Sequence, residues 1–446
     1  MVGSRTGAVP GVREAEEGGG GVATQWVWTA AWPVTAVFVL SNAATPLYVR
    51  WQREIGFSKG TLTVIFACYI VGLLGSLLVS GVVSDRVGRK PVLLPALGLA
   101  LAACAIFASA SSVAALIVAR LFSGIAVGAV VSAGMAAVTD VAGPGRRRLA
   151  ALLASCAMVF GAGLGPLLAG VLGEGAFALE AVLLVAAVLV VVRMPLGGSS
   201  GVPTQSGRSA SARSVSARSV SARSVSGRSA SARSVPDSRA WVRIPGVPRG
   251  SGGELLMGIA VFAPGITATS FVLSLGPSLL SGLLDTTSPV VAGAMAFVMF
   301  LTATGAQFAV QRLDRRTILL AGAVSTTIGM GALIAAVRAS SVPLLVAAAL
   351  LAGAGQGMGQ LGGLSLLNSS VPPSRLAEAN AALNVGGYVP AGALPVTAGY
   401  LSDAVGLTAG ATVFGAVLMA LAFVGGLVVL IGPLSVQGMG RGKKEA

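Results

Sequence analysis

The sequence contains no histidine and only three cysteines, and charged residues make up just 10% of its 446 positions. Without histidine the chain has no histidine general base, no Ser/His/Asp triad and no histidine-containing metal site. The cysteines, Cys68, Cys104 and Cys156, lie far apart inside apolar stretches, which suits neither a disulfide framework nor a metal cluster. We therefore expect no enzyme, no bound metal and no cofactor.

Hydrophobic residues are abundant instead, at 54% of the chain with a mean hydropathy of +0.86. An average soluble protein is about 25% charged, so the composition excludes that class. Apolar stretches of about 17 to 25 residues are long enough to cross a bilayer as helices. Twelve such stretches are present, at 27–49, 61–83, 91–110, 113–138, 147–172, 176–194, 254–281, 289–310, 317–337, 342–368, 375–400 and 407–432.

These spans predict an all-α membrane protein with twelve transmembrane helices in two six-helix pseudo-repeats. An internal match supports the repeat, because the segment 89–94 resembles the segment 315–320 after a shift of 226 residues. The predicted domains are a disordered cytoplasmic N-terminus (1–26), an N-terminal six-helix bundle (27–194), a cytoplasmic Ser/Arg-rich linker (195–251), a C-terminal six-helix bundle (252–433) and a cytoplasmic tail (434–446).

The net charge is +15, and the basic residues behind it lie mostly on one side of the predicted membrane. Twenty-five of the 30 basic residues fall on the side that carries both termini, and four fall on the other side. Because basic loops stay in the cytoplasm, both termini are expected there. We expect a multi-pass protein of the inner (plasma) membrane. We also expect it to work as a monomer.

Six tandem pentapeptides of the type Ser-Ala-Arg-Ser-Val occupy residues 206–235 of the linker. A segment this polar cannot bury enough apolar surface to fold. It is either a plain basic linker or a segment that docks on RNA or anionic lipid. No aromatic residues are interleaved to stack on bases, so we expect no nucleic-acid partner.

A charged loop motif separates the second and third spans. It consists of Gly81, Asp85, Arg86, Gly88, Arg89 and Lys90. A helical glycine permits close packing, a glycine after a helix permits a tight turn, and an aspartate four residues before an arginine can form a charge-assisted pair. The spacing resembles the loop signature of the major facilitator superfamily, which also has twelve spans and a long central loop.

Two further segments resemble the same superfamily. Arg120 with Gly124 and Gly128 is similar to its fourth-helix pattern. The fifth span resembles the glycine-proline signature of the drug:proton antiporter branch, through Gly161, Gly165, Pro166 and Gly170. The resemblance implies a transporter for a small-molecule substrate, driven by protons. Glycines at this spacing also serve simple helix packing.

The resemblance implies a gate at the cytoplasmic surface. In the superfamily the arginine of the loop signature pairs with an acid at the end of helix 4, and its aspartate faces the start of helix 11. The corresponding residues here are Arg89, Asp140 and Asp85. The alternative is a set of static surface ion pairs worth less than about 1 kcal/mol.

Two ionisable residues are predicted inside the spans. Arg120 costs at least about 2.5 kcal/mol if it is central, which favours a role in proton coupling or in binding an acidic substrate group; the alternative is a side chain that extends to the outer membrane surface. Glu180 lies near the outer end of the sixth span. It either carries the proton or sits at the interface with its carboxyl group in water.

A substrate cavity is expected between the two halves near the bilayer midplane. Its candidate lining residues are Asn42, Thr45, Thr267, Ser270, Gln356, Gln360, Asn384 and Tyr388. Neutral amides and hydroxyls suit a neutral or weakly acidic, largely apolar compound. The sequence therefore predicts an exporter of a small amphipathic compound that works by alternating access and proton antiport. The alternative is an uptake porter or facilitator for a sugar or other metabolite.

Overall fold

The structure is a computed structural model, and it describes residues 13–143, 146–195, 245–284, 288–372 and 375–432. In these ranges the chain forms helices and loops, with no β-strand. The predicted pentapeptide repeats (206–235) and the predicted C-terminal tail lie outside the described residues.

Twelve long helical segments account for most of the described chain. They are α1 (Arg13–Ala43), α2 (Lys59–Val87), α3 (Lys90–Ala108), α4 (Val113–Ala142), α5 (Arg147–Leu172), α6 (Gly175–Arg193), α7 (Gly252–Leu284), α8 (Pro289–Val310), α9 (Arg315–Ala339), α10 (Val342–Ser370), α11 (Leu376–Val405) and α12 (Leu407–Ile431). The predicted all-helical membrane fold of two six-helix halves is confirmed.

Eleven of these segments are apolar enough to cross a membrane by length and composition alone, among the residues that the structure describes. The exception is α11, which has 30 residues. Its asparagines and prolines, among them Asn380, Asn384, Pro390 and Pro395, lower its hydropathy. The helix α11 packs against α2, α7 and α12, and Pro395 is buried there.

Two segments depart from regular α-helix. After Ala43 the first span continues as a 3₁₀ turn (Thr45–Leu47), a helical turn (Tyr48–Trp51) and a π-helical turn (Gln52–Gly56). In α4 a π-helical stretch, Val130–Gly134, interrupts the α-helix. Stretches of this kind recur at functional sites.

The helix α1 begins at Arg13, which is before the boundary at residue 26 that the sequence predicted for the first six-helix bundle. The residues 13–17 are good helix formers, and a helix extends at little cost from an already formed turn. Residues 1–12 lie outside the described chain.

The helices define two faces of the bundle. The Asp85 face carries the α2–α3, α4–α5 and α8–α9 loops, and the Asp403 face carries the α1–α2, α5–α6 and α11–α12 loops. Residues 36–48 of the first span and 261–280 of α7 are buried on all sides. Across the halves, α5 packs on α8 and α2 packs on α11.

Candidate functional site: a charged loop, a buried arginine and a central cavity

The Asp85 face carries a compact cluster of charges centred on Arg89. Its Nη1 donates to Asp85 Oδ1 at 2.6 Å and to Ser84 Oγ at 2.9 Å, and its Nε donates to Asp140 Oδ2 at 3.1 Å. Partial burial lowers the pKa of Arg89, but the hydrogen bonds with Asp85 and Asp140 outweigh it, so the net direction is upward. The structure thus brings together Asp85, Arg89 and Asp140, the three residues that the resemblance to the superfamily predicts as a gate.

The rest of the loop motif fixes this cluster in place. Gly88 ends α2 with φ +97°, a backbone conformation that side chains disfavour, and so turns the chain toward Arg89. Lys90 Nζ donates to the Val192 carbonyl oxygen at 2.8 Å, which ties the start of α3 to the end of α6. Gly81 is buried and Arg86 is exposed.

The Asp85→Asn variant tests the gate. It weakens one of the two carboxylate contacts of Arg89, and charge-assisted bonds are about twice as strong as neutral ones. We expect transport to fall several-fold while the amount of protein in the membrane stays the same. Initial transport rates at matched protein levels provide the measurement, and an unchanged rate would reduce the cluster to static ion pairs.

Arg120 is the second candidate element, and its side chain is 0% exposed. Its Nε donates to the Tyr48 hydroxyl, and its Nη1 donates to the Ser41 carbonyl oxygen at 2.6 Å. Four rings surround the guanidinium, with Arg120 Cζ between 5.1 and 5.9 Å from the ring centroids of Tyr48, Phe66, Tyr69 and Phe107. The alternative that Arg120 extends to the membrane surface is therefore wrong.

The guanidinium keeps one free donor. Arg120 Nη2 has no hydrogen-bond partner among the described residues, and none of the ion pairs found in that part of the chain involves Arg120. A buried charge is normally paired. Neutral hydrogen bonds and aromatic faces stabilise this one, and the positive charge itself is left uncompensated.

Glu180 on α6 is also buried, at 2% exposed, and neither of its carboxyl oxygens has a hydrogen-bond partner in the described part of the chain. The alternative that its carboxyl group sits in water at the membrane interface is therefore wrong. The ring centroids of Phe177 and Phe107 lie 5.4 Å apart in a stacked arrangement, and Phe107 also faces the Arg120 guanidinium.

The glycines of α5 serve two different contacts. Gly161 and Gly165 face α1, where a Cβ on Gly161 would lie 2.6 Å from the Thr35 carbonyl oxygen. Gly170 faces α8 in the other half, where a Cβ would lie 2.6 Å from the Pro289 carbonyl oxygen. Pro166 also borders α8, because its carbonyl group packs against Gly293. The glycine-proline segment of α5 thus packs on both halves.

A central cavity of about 120 Å³ lies between the halves. Five of the predicted residues line it: Asn42, Ser270, Gln356, Gln360 and Tyr388. The other three do not. The Thr267 hydroxyl bonds to the Ala263 carbonyl oxygen at 2.7 Å and borders a separate groove on the far side of α7. Thr45 is buried beyond the end of α1, and Asn384 lies one turn before Tyr388.

Several residues that line the cavity were not predicted from the sequence. They are the polar Tyr69, Thr269, Thr304 and Gln307 and the aromatic Phe38, Phe66 and Phe300. Gln307 and Thr304 are one turn apart on α8, which is the only signal that the sequence offered for them. No Asp, Glu, Lys or Arg lines this cavity among the described residues.

Phe66 and Tyr69 connect the cavity with Arg120. Both rings line the cavity and both face the guanidinium. Asn42, a further lining residue, donates from Nδ2 to Ser41 Oγ at 3.0 Å, and the Ser41 carbonyl oxygen accepts from Arg120. One layer of side chains thus separates the cavity from an uncompensated positive charge.

The family model described as the Major Facilitator Superfamily matches residues 27–306. The chain belongs to this superfamily. It is 36% identical over 104 residues to the 3-(3-hydroxy-phenyl)propionate transporter of Escherichia coli (strain K12), a match that covers 22% of this chain and 25% of that one. It is 35% identical over 127 residues to the major facilitator-type transporter psiT2 of Psilocybe cyanescens, covering 28% and 23%. The chain thus matches about a quarter of each relative's length.

Solved structures of the superfamily share the fold over nearly the whole described chain. A bacterial homologue of the human lysosomal transporter Spinster, in an inward-facing and unoccupied conformation, aligns with a TM-score of 0.65 at 13% identity, covering 92% of this chain and 98% of that one. The human organic anion transporter MFSD10 (TETRAN) aligns with a TM-score of 0.59 at 19% identity, covering 91% and 99%. The chain is therefore a multi-pass membrane protein of the superfamily, and it shares the fold of these solved transporters.

Proposed function

We propose that the protein moves a small amphipathic organic compound across the plasma membrane by alternating access, with the central cavity as the binding site. The observation that carries this proposal is the composition of the cavity. Hydroxyl and amide groups of Asn42, Ser270, Gln356 and Gln360 lie beside the rings of Phe66 and Tyr388. This combination suits a compound with an apolar body and one or two polar groups.

The charge near the cavity favours a weakly acidic compound. The uncompensated guanidinium of Arg120 lies behind Phe66 and Tyr69, and a positive charge in a low-dielectric site attracts anions and repels cations. The similarity of a segment of the chain to a 3-(3-hydroxy-phenyl)propionate transporter supports the same class, since that substrate combines an aromatic ring with a carboxylate.

We infer export in exchange for protons as the direction and driving force. The glycine-proline segment of α5 supports this inference, and so does Glu180. A carboxylate with neither oxygen partnered would be an uncompensated buried charge, so Glu180 is protonated in this conformation and becomes a proton carrier if another conformation exposes it. Both termini are assigned to the cytoplasm from the basic loops, and the working unit is assigned as a monomer.

Transport in inverted vesicles tests direction and coupling together. In such vesicles export appears as uptake, and an acidic lumen supplies the protons that leave as the compound enters. We expect an acidic lumen to raise the uptake of 3-(3-hydroxyphenyl)propionate, the probe compound, about tenfold, because each pH unit of gradient is worth about 1.4 kcal/mol. The Glu180→Gln variant is expected to lose this stimulation and to keep exchange without a gradient.

The controls separate the alternatives. Uptake that rises with an alkaline lumen would indicate proton-coupled import, which is the competing function. Uptake that ignores the gradient in the unmodified protein would contradict antiport and leave the fold untouched. The amide of the same compound, which has the same shape and no charge, tests the preference for an acid.

A further inference from the structure

The motif of the Asp85 loop occurs a second time, at the end of α11. The pattern Gly-x-x-Ser-Asp-x-Val-Gly is present at residues 81–88 and again at residues 399–406. The shift of 318 residues relates α2 to α11, so this match is distinct from the repeat of the two six-helix halves. Because α2 and α11 run in opposite directions, the two copies lie on opposite faces of the bundle.

The two copies have the same local structure. Ser84 and Ser402 are both buried at 1% exposed, and the aspartate that follows each of them is exposed. Each helix ends at the valine, and the next residue is a glycine with positive φ, +97° at Gly88 and +87° at Gly406. The copies differ after this glycine, where Arg89 of the first copy corresponds to Leu407 in the second.

Asp403 binds the N-terminus of α2 in the other half of the molecule. Its Oδ1 accepts from the Lys59 backbone N–H at 3.0 Å, and its Oδ2 accepts from the Gly60 backbone N–H at 2.8 Å. These are two of the N–H groups that the first turn of a helix leaves without intrahelical partners. The third, of Thr61, is bound by the Ser58 side chain at 3.1 Å.

Glycines allow this close approach. A Cβ on Gly60 would lie within 2.7 Å of the Tyr400 ring, and a Cβ on Gly399 would lie 2.9 Å from the Lys59 carbonyl oxygen. Gly399 is the first position of the second motif copy. The motif therefore supplies both the acid and the small residue that lets α11 meet α2.

The position of Asp403 is unfavourable without this contact. It lies two residues before the end of α11, where the negative end of the helix dipole repels a carboxylate. The positive end of α2 and the two N–H donors compensate for that repulsion. When the two halves separate on the Asp403 face, Asp403 loses both donors.

We propose that Asp403 is a positioning residue that holds the Asp403 face closed, as the inverted counterpart of the Asp85 loop motif. This inference rests on the proposed alternating-access mechanism. The first copy carries its own arginine, Arg89, which donates to Asp85 and Asp140. The second copy has no arginine after its glycine and acts across the halves through the backbone of α2.

Distances across the Asp403 face test this proposal without any substrate. The test uses the full-length protein with Cys68, Cys104 and Cys156 replaced by serine. New cysteines at the exposed positions Arg53 and Thr408, one in each half, carry the spin labels. Pulsed electron paramagnetic resonance in proteoliposomes then measures the distance between the two labels. We expect Asp403→Asn to raise the population of the long-distance, open state about fivefold, because a charged helix cap becomes a neutral one.

The matched control removes a helix cap that stays within one half. Asp314 caps its own helix α9 by accepting from Thr317 N at 3.0 Å, and hydrogen bonds from the Thr317 side chain and backbone hold the pKa of Asp314 below its usual value. Asp314→Asn is expected to leave the open population unchanged. If the open population of Asp403→Asn equalled that of Asp314→Asn, the proposal would be overturned.

The donor side gives a second test that leaves Asp403 in place. Lys59→Pro removes one donated N–H, and proline fits the first position of a helix after an extended residue, which Ser58 is, with ψ 168°. We expect Lys59→Pro to raise the open population more than Lys59→Ala does, because both variants lose the side-chain charge near Asp403 and only the proline also loses the backbone N–H. The double variant Lys59→Pro with Asp403→Asn is expected to raise the open population by less than the two single effects combined, since both changes act on the same hydrogen bond. Strict additivity, or equal populations for Lys59→Pro and Lys59→Ala, would contradict the assignment.

Discussion

Replacing Arg120 by glutamine is expected to reduce transport about a hundredfold, because it removes a buried charge and charge-assisted hydrogen bonds worth about 1.5–3 kcal/mol each. The Tyr48 hydroxyl and the Ser41 carbonyl group, both buried, would lose their charged donor. The cavity would also lose the positive charge behind Phe66 and Tyr69. Initial rates of transport in proteoliposomes, at equal amounts of folded protein, measure the effect.

Two further variants separate geometry from charge. Arg120→Lys keeps the charge, but a single ammonium group cannot reproduce the planar geometry that serves Tyr48 and Ser41 together, so we expect a loss of about tenfold and a retained preference for acids over amides. Tyr48→Phe removes one bond of the guanidinium and leaves its charge, and we expect a smaller loss. Normal transport by Arg120→Gln would show that the charge is not used.

Adding one methyl group to α5 is expected to have a different outcome at Gly170 than at Gly161. In both places the new Cβ would lie 2.6 Å from a backbone carbonyl oxygen, of Pro289 at Gly170 and of Thr35 at Gly161. Contacts this short force a shift of the backbone, and overpacking of this kind costs about 1–3 kcal/mol. Only the Gly170 contact joins the two halves.

We therefore expect Gly170→Ala to slow transport about tenfold and to favour the state that is open on the Asp403 face. Gly161→Ala is expected to lower the thermal unfolding temperature, because the strain falls inside the first half on α1. Transport rates and thermal unfolding, measured on both variants, provide the test. Equal effects on stability and transport for the two variants would contradict the division of α5 into contacts within and between the halves.

Most of the fold could be predicted from the sequence because the bilayer imposes one simple rule. A span needs about 20 apolar residues, and this pattern located all twelve long helices. It failed at the first helix, where the residues before the apolar stretch are helical as well. The π-helical stretch in α4 could not be predicted, since nothing in Val130–Gly134 separates it from an ordinary apolar helix.

The candidate site was predictable only in part. The Arg89 cluster joins residues that a known motif links, so its members could be named in advance. The cavity depends on how each helix is rotated, and hydropathy does not report rotation. Thr267 and Ser270 are less than one turn apart, yet only Ser270 lines the cavity. The pattern shared by residues 81–88 and 399–406 was present in the sequence, but its meaning depended on α2 and α11 meeting across the halves.

The π-helical stretch of α4 also determines how its two charged residues are aligned. Arg120 precedes Val130–Gly134 and Asp140 follows it. A π-turn holds one more residue than an α-turn, and one residue corresponds to about 100° of rotation. A helical wheel drawn through α4 therefore misplaces Asp140 by about that angle relative to Arg120. The direction in which Asp140 meets Arg89 is thus set by the insertion of a single residue, and deleting one residue from Val130–Gly134 would turn the Asp140 carboxylate away from the Arg89 guanidinium.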